Sequence, residues 1–191
     1  MITSNTVRQA ALIATLVAAP GLHAAEVAGV KLDDKIRVGG SELVLNGAGV
    51  RSKLFIKVYV GALYVGQKST APAAIYDSTG PRRMALRMLR DVDAESLHSA
   101  LDDGLKANHT PEELAGIKAA SDQLASIMKG IGKAREGDTI AIDFLAEGVA
   151  VSLNGESRGK VAAPALAKAL LKVWLGDKPA DAALKKSLLG S

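Results

Sequence analysis

Residues 47–66, GAGVRSKLFIKVYVGALYVG, constrain the fold more than any other part of the chain. Val, Ile, Tyr and Phe dominate the stretch and no Pro interrupts it, so it reads as one very long β-strand. Side chains alternate faces along a strand. Val50, Leu54, Ile56, Val58, Val60, Ala62 and Tyr64 then form a clean apolar core face. Arg51, Lys53, Phe55, Lys57 and Tyr59 form a mixed opposite face with a row of cations. Gly61 and Gly66 invite a bulge or bend. A buried or half-buried Arg beside an apolar sheet face suits an organic acid or an enolate oxygen. The plainer reading is a half-exposed strand with solvated Lys and Arg. Strict alternation places Arg51 opposite the core face, and a bulge near Gly49 or Gly61 would reconcile the two readings.

The rest of the chain alternates strands and helices in blocks. Val27 to Leu32, Ile36 to Val38 and Glu42 to Leu45 read as short strands, with tight turns at Gly39-Gly40 and Asn46-Gly47. Residues 70–77 read as a short helix or irregular crossover, and residues 83–89 as a strand whose Arg83 and Arg87 decorate a wet face. Asp93 caps a helix to about Ala107 with Leu97, Ala100, Leu101 and Leu105 as its apolar stripe. Thr110-Pro111-Glu112-Glu113 is a capping-box sequence that opens a second helix. Ile140, Ile142 and Phe144 share one strand face. Hairpin turns follow at Glu147-Gly148 and Asn154-Gly155. Sequential hairpins with segregated helices predict an α+β fold, an antiparallel sheet with a long central strand packed against a layer of helices.

Residues 1–25 stand apart. Arg8 is their only charged side chain, Ala10 to Ala19 is an apolar run, and Ala24-Ala25 offers a small-residue cleavage site. The segment reads as a signal peptide, which predicts a periplasmic or secreted protein cleaved after Ala24 or Ala25. The run has about half of the ~20 apolar residues a spanning helix needs, so no stable membrane insertion is expected after cleavage. Residues 26–191 suit one domain.

Composition excludes several chemistries. The formal net charge is +4 and no basic block interleaves with aromatics, so nucleic acid is not an expected partner. There is no Cys, hence no disulfide and no thiolate, and the two His residues beyond the leader, His98 and His109, have no metal-ligand spacing. No Gly-x-Ser-x-Gly elbow or dinucleotide fingerprint is present. No cofactor is expected. Asp102-Asp103 point about 100° apart on a helix and read as solvated.

Two segments resemble the chalcone isomerase-like family. One is Gly47-Ala48-Gly49-Val50-Arg51 followed by Val58-Tyr59-Val60-Gly61-Ala62-Leu63-Tyr64-Val65. The other is the helix from Pro164 through Trp174-Leu175-Gly176, continuing through Pro179-Ala180-Asp181 to Leu184-Lys185. The resemblance spans residues 30–189 and implies an open-faced sandwich. In the family's enzymes an Arg on the long strand attracts developing negative charge, and Arg51 matches it. The enzymes' Thr about eight residues on is Tyr59 here. Their helical Tyr and Asn fall in residues 97–104 without a polar match, and a Thr or Ser before the last long helix falls at Ala162-Ala163. The family also contains non-catalytic fatty-acid binders that rely on an Arg and a Tyr near an apolar cavity.

The resemblance implies a binding protein for a small apolar or aromatic acid, which the leader at residues 1–25 predicts to be exported. Arg51 holds the acid group, helped by Tyr59 or Tyr64, with walls from the sheet and from helices at 94–107 and 164–175. Two alternatives stand beside it. One is an isomerase acting on an unsaturated carbonyl compound, with Arg51 and Tyr59 as its catalytic pair. The other is a structural or partner-binding domain without a small ligand.

Overall fold

The computed structural model describes residues 25–190. The signal peptide expected at 1–25 lies outside the described residues, save for Ala25. The chain folds as a seven-stranded antiparallel sheet with helices over one face. A small hairpin, β1 (Ala25–Val27) and β2 (Val30–Leu32), precedes it. The sheet contains β3 (Lys35–Val38), β4 (Ser41–Lys53), β5 (Ile56–Val65), β6 (Arg82–Met88), β9 (Thr139–Leu145), β10 (Gly148–Leu153) and β11 (Glu156–Val161). Its spatial order is β11-β10-β9-β6-β5-β4-β3. The short β7 (Val92–Asp93) and β8 (Lys133–Ala134) pair separately. The helices are α1 (Pro72–Tyr76), α2 (Ala94–Asn108), α3 (Pro111–Ile131), α4 (Pro164–Leu175) and α5 (Ala182–Leu188).

Much of this follows the local signals. The Thr110 capping box forms in full: Thr110 Oγ1 accepts from the Glu113 amide and the Glu113 carboxylate accepts from the Thr110 amide. Gly39-Gly40 and Asn154-Gly155 turn at positive φ, as glycine-rich hairpins require. The antiparallel sheet against a helical layer matches the expected fold class.

The 47–66 stretch corrects the sequence reading. It is not one strand but the β4–β5 hairpin, turning at Leu54-Phe55 with φ of 49° and 67°. Leu54 and Ile56 are exposed rather than core. Two bulges set the faces. Asn46 is an extra residue between the Leu45–Tyr64 and Gly47–Leu63 pairs, and Val58 is extra between the Ser52–Lys57 and Arg51–Tyr59 pairs. Asn46 is therefore no turn residue. Its amide nitrogen donates to the Leu188 and Ser69 carbonyls at 2.7 and 3.0 Å, and its oxygen accepts from the Ser69 amide. Likewise, Val27 to Leu32 is not one strand but the β1–β2 hairpin.

The face assignment also inverts. Tyr59, Leu63 and Val65 pack in the large core under the helices with Leu166, Leu170 and Trp174. Val60, Ala62 and Tyr64 belong to a smaller cluster on the opposite face, with Leu32, Val38 and Leu43. The physical reason lies in the odd-numbered glycines. A Cβ at Gly47 would lie 2.2 Å from the Ser187 carbonyl oxygen, and one at Gly49 would lie 2.6 Å from the Ser187 Cβ. Glycine in these strand positions is what lets α5 lie directly on the sheet, so this face is the covered one.

Candidate functional site

Arg51 on β4 and Tyr59 on β5 are cross-strand partners on the helix-covered face. The Arg51 guanidinium carbon sits 5.7 Å from the Tyr59 ring centroid, within cation–π range. Tyr59 is fully buried, and its hydroxyl oxygen accepts a 2.9 Å hydrogen bond from Trp174 Nε1 on α4. Indole nitrogen only donates, so this bond fixes the phenol oxygen as acceptor. Burial pushes the Tyr59 phenol above its ordinary pKa, and the nearby Arg51 and Trp174 only partly oppose that. The phenol is therefore a neutral group at physiological pH, available to donate its proton to an acceptor and unsuited to act as a base.

Arg51 Nε is buried and has no hydrogen-bond partner. Around it lies an apolar crevice walled by Leu86, Leu97, Leu101, Met128, Val173 and Trp174, with a free volume of about 10 Å³. On its other side Arg51 borders an outer cleft of about 420 Å³. Val58, Val92, Leu97 and Ala100 give the cleft its apolar wall, and Lys53, Arg90 and Lys133 stand around it with Asp91 and Asp93. Leu97 and Ala100 of α2 border both spaces, so Arg51 sits at their junction. Asp181 at the start of α5 holds the adjoining strand, its carboxylate accepting from the Ser52 and Leu184 amides at 3.1 and 3.0 Å.

The structure thus brings Arg51 and Tyr59 together and leaves Tyr64 apart. Tyr64 lies across the sheet, in a second groove of about 550 Å³ with Lys31, Asp33, Arg83 and Arg87. Burial, reinforced by Asp33, pushes its phenol up to about 12. The helices expected as walls, α2 and α4, do supply the crevice wall. Sequence reasoning missed the role of Trp174 as the tether of Tyr59. The available signal was that a lone buried indole needs an acceptor. His98 and His109 line neither space. His109 Nδ1 instead lies 2.9 Å from the Leu105 carbonyl.

Among curated protein sequences nothing matches. Among solved structures, a fatty-acid binding protein of Arabidopsis thaliana shares the fold, with a TM-score of 0.66 and 16% sequence identity. The likeness covers 84% of this chain and 92% of that one. A family model described as chalcone isomerase-like matches residues 24–190, and the chain belongs to that chalcone isomerase-like family.

Proposed function

We propose that the protein binds an apolar, fatty acid-like carboxylic acid without catalysis, with Arg51 holding the acid group. The observation that carries this reading is Arg51, a residue that borders both cleft and crevice and whose Nε is buried without a partner. A buried donor without a partner is destabilising and rare in native proteins. A carboxylate relieves it, and the planar guanidinium meets a carboxylate at two points. The fatty-acid binding protein of the same fold supports the ligand class. The outer cleft falls within the usual size range of ligand pockets, whereas the crevice has room for about one water. The acyl chain accordingly follows the cleft along Val58, Val92, Leu97 and Ala100. Tyr59 and Trp174 hold the guanidinium in place from the dry side. Tyr64 takes no part.

Arg51→Ala is expected to weaken long-chain fatty-acid binding about ten- to a hundredfold, the equivalent of one charged hydrogen bond of roughly 1.5–3 kcal/mol. Arg51→Lys restores it only in part, because an ammonium lacks the planar fork. Lys57→Ala controls for general positive charge. Equal fatty-acid affinity in wild type and Arg51→Ala would overturn the reading. Turnover of a chalcone by the wild type, lost in Arg51→Ala, would establish the isomerase instead. Neither binding nor turnover would leave a structural domain. We also propose, from residues 1–25 alone, that the protein is exported to the periplasm or beyond. An intact mass beginning at Ala25 or Glu26 supports that, and retention of Met1 in exported protein refutes it.

A further inference from the structure

At the end of the β4–β5 hairpin, Leu54, Phe55 and Ile56 are 82%, 103% and 49% exposed. They are the exposed large hydrophobics among the described residues. The turn adds a second anomaly. A two-residue hairpin with both φ values positive favours Asn-Gly or Gly-Gly, whereas here Leu54 and Phe55 adopt it at 49° and 67°. Bulky side chains in that region are strained. Folding stability does not account for Leu-Phe at this turn, and neither does solubility. Such a joint departure from local rules is characteristic of a surface kept for function.

Charge identifies what the tip meets. Exposed Lys53 and Lys57 flank it directly, and no ion pair engages either of them among the described residues. Arg51, Arg90 and Lys133 stand at the adjoining cleft with Lys53, against Asp91 and Asp93, and Lys133 is paired with Asp91. Cations thus outnumber acids around an apolar point. A protein partner with an apolar socket would need matching acidic walls. A bilayer with an anionic surface supplies hydrocarbon for the point and negative headgroups for the ring at once. The aliphatic stems of the lysines reach the headgroup level while Phe55 passes below it.

We propose that the tip at residues 53–57 docks into an anionic lipid bilayer, with Leu54 and Phe55 inserted and Lys53 and Lys57 at the headgroups. Leu54 and Ile56 also border the outer cleft, so docking holds the mouth of that cleft against the lipid. The docking itself needs no acid bound at Arg51, and its test contains none.

The test uses the full chain carrying Phe55→Trp, mixed with vesicles of phosphatidylcholine alone or with added phosphatidylglycerol. The apolar run at residues 10–19 makes sedimentation a poor measure of the tip, so the readout is local. Trp174 is buried, and the wild-type spectrum serves as its background. The expected result is a blue-shifted indole, quenched by brominated acyl chains, with the anionic vesicles and reversed by salt. Adding Lys53→Gln and Lys57→Gln lowers the partition about thirtyfold, since each cation near such a surface contributes a few-fold. Adding Leu54→Asn, which suits the turn, keeps the melting temperature and lowers partition. No shift with either vesicle overturns the proposal. So does an equal shift with neutral vesicles that ignores the lysine changes. A shift that grows with protein concentration without lipid, together with dimer by light scattering, would assign the tip to a second copy and also overturn it.

Discussion

The two faces of the sheet are built to opposite plans. The helix-covered face is tightly packed beside Tyr59 and Trp174, with about 10 Å³ left there, and opens at Arg51 into the outer cleft of about 420 Å³. The other face carries a groove of about 550 Å³ between the β1–β2 hairpin and the middle of the sheet. Space alone would put a ligand in the larger groove. The polar groups argue the reverse. In the groove Arg83 is satisfied by Asp143, in a two-point pair at 2.5 and 2.8 Å, and Arg87 donates to Thr139. Arg51 keeps an unmatched Nε, as Arg82 does, and of the two it is Arg51 that borders the outer cleft. Cavity size reports what the fold left unfilled, whereas an unmatched buried donor reports what the fold left unanswered.

The contrast between the faces has measurable consequences. The largest effect is expected from Trp174→Ala, which empties the packed face and removes the indole donor to the Tyr59 hydroxyl. Urea unfolding should show a loss of roughly 3–5 kcal/mol. Val60→Ala on the groove face removes two buried carbons and should cost about 1.5–2 kcal/mol. Equal losses would erase the distinction between the faces.

The two tyrosines give a finer test. Tyr59→Phe strands a buried indole donor and should cost about 1–3 kcal/mol, whereas Tyr64→Phe breaks no such bond. Tyr64 acts through pH instead. Its folded pKa, about 12, lies above the ordinary 10.0. Below pH 10 both states hold the proton, so the stability is fully present. As pH rises past 10 the unfolded chain ionises first, and stability falls until about pH 12. Tyr64→Phe should flatten part of that fall in alkaline urea melts. A fall unchanged by the substitution would place the effect elsewhere.

The smallest effect belongs to the hairpin tip. The sequence pattern predicts a clear loss of melting temperature for Ile56→Ala. The structure reverses this, because Ile56 is half-exposed, and a change within about 0.5 kcal/mol is expected by thermal melt. A loss as large as that of Leu170→Ala would restore the single-strand reading.

What was legible in the chain were features with a local cause. The Thr110 capping box, the Asn154-Gly155 turn and the apolar stripe of α2 each need only neighbours in sequence. The turn at Leu54-Phe55 was not legible, because its residues carry strand propensity and no turn chemistry. Once that turn was missed, Leu54 and Ile56 were read as core, and the face that the helices cover was taken for the opposite one. The bulge at Asn46 shifts the alternation by one, while the bulge at Val58 cancels the parity change of the two-residue turn, so Arg51 and Tyr59 share a face. Arg51 was legible as a candidate through its place before the long apolar run. Trp174, the partner of Tyr59, was not, for the two residues lie 115 apart in the chain and meet only in the folded core. The glycines at 47, 49 and 61 were visible, but as flexible points rather than as a floor for another backbone.

That glycine floor also sets an order of events. Hairpins such as β9–β10 pair residues close in sequence and form early. The bond from Asn46 to the Leu188 carbonyl closes across 142 residues. A contact of such long range comes late in folding, after the intervening chain has collapsed. Until α5 arrives, β4 presents a bare strip of backbone at Gly47 and Gly49 with no side chain to shield it. The interval before that closure is when a nascent chain would most need guarding from its neighbours.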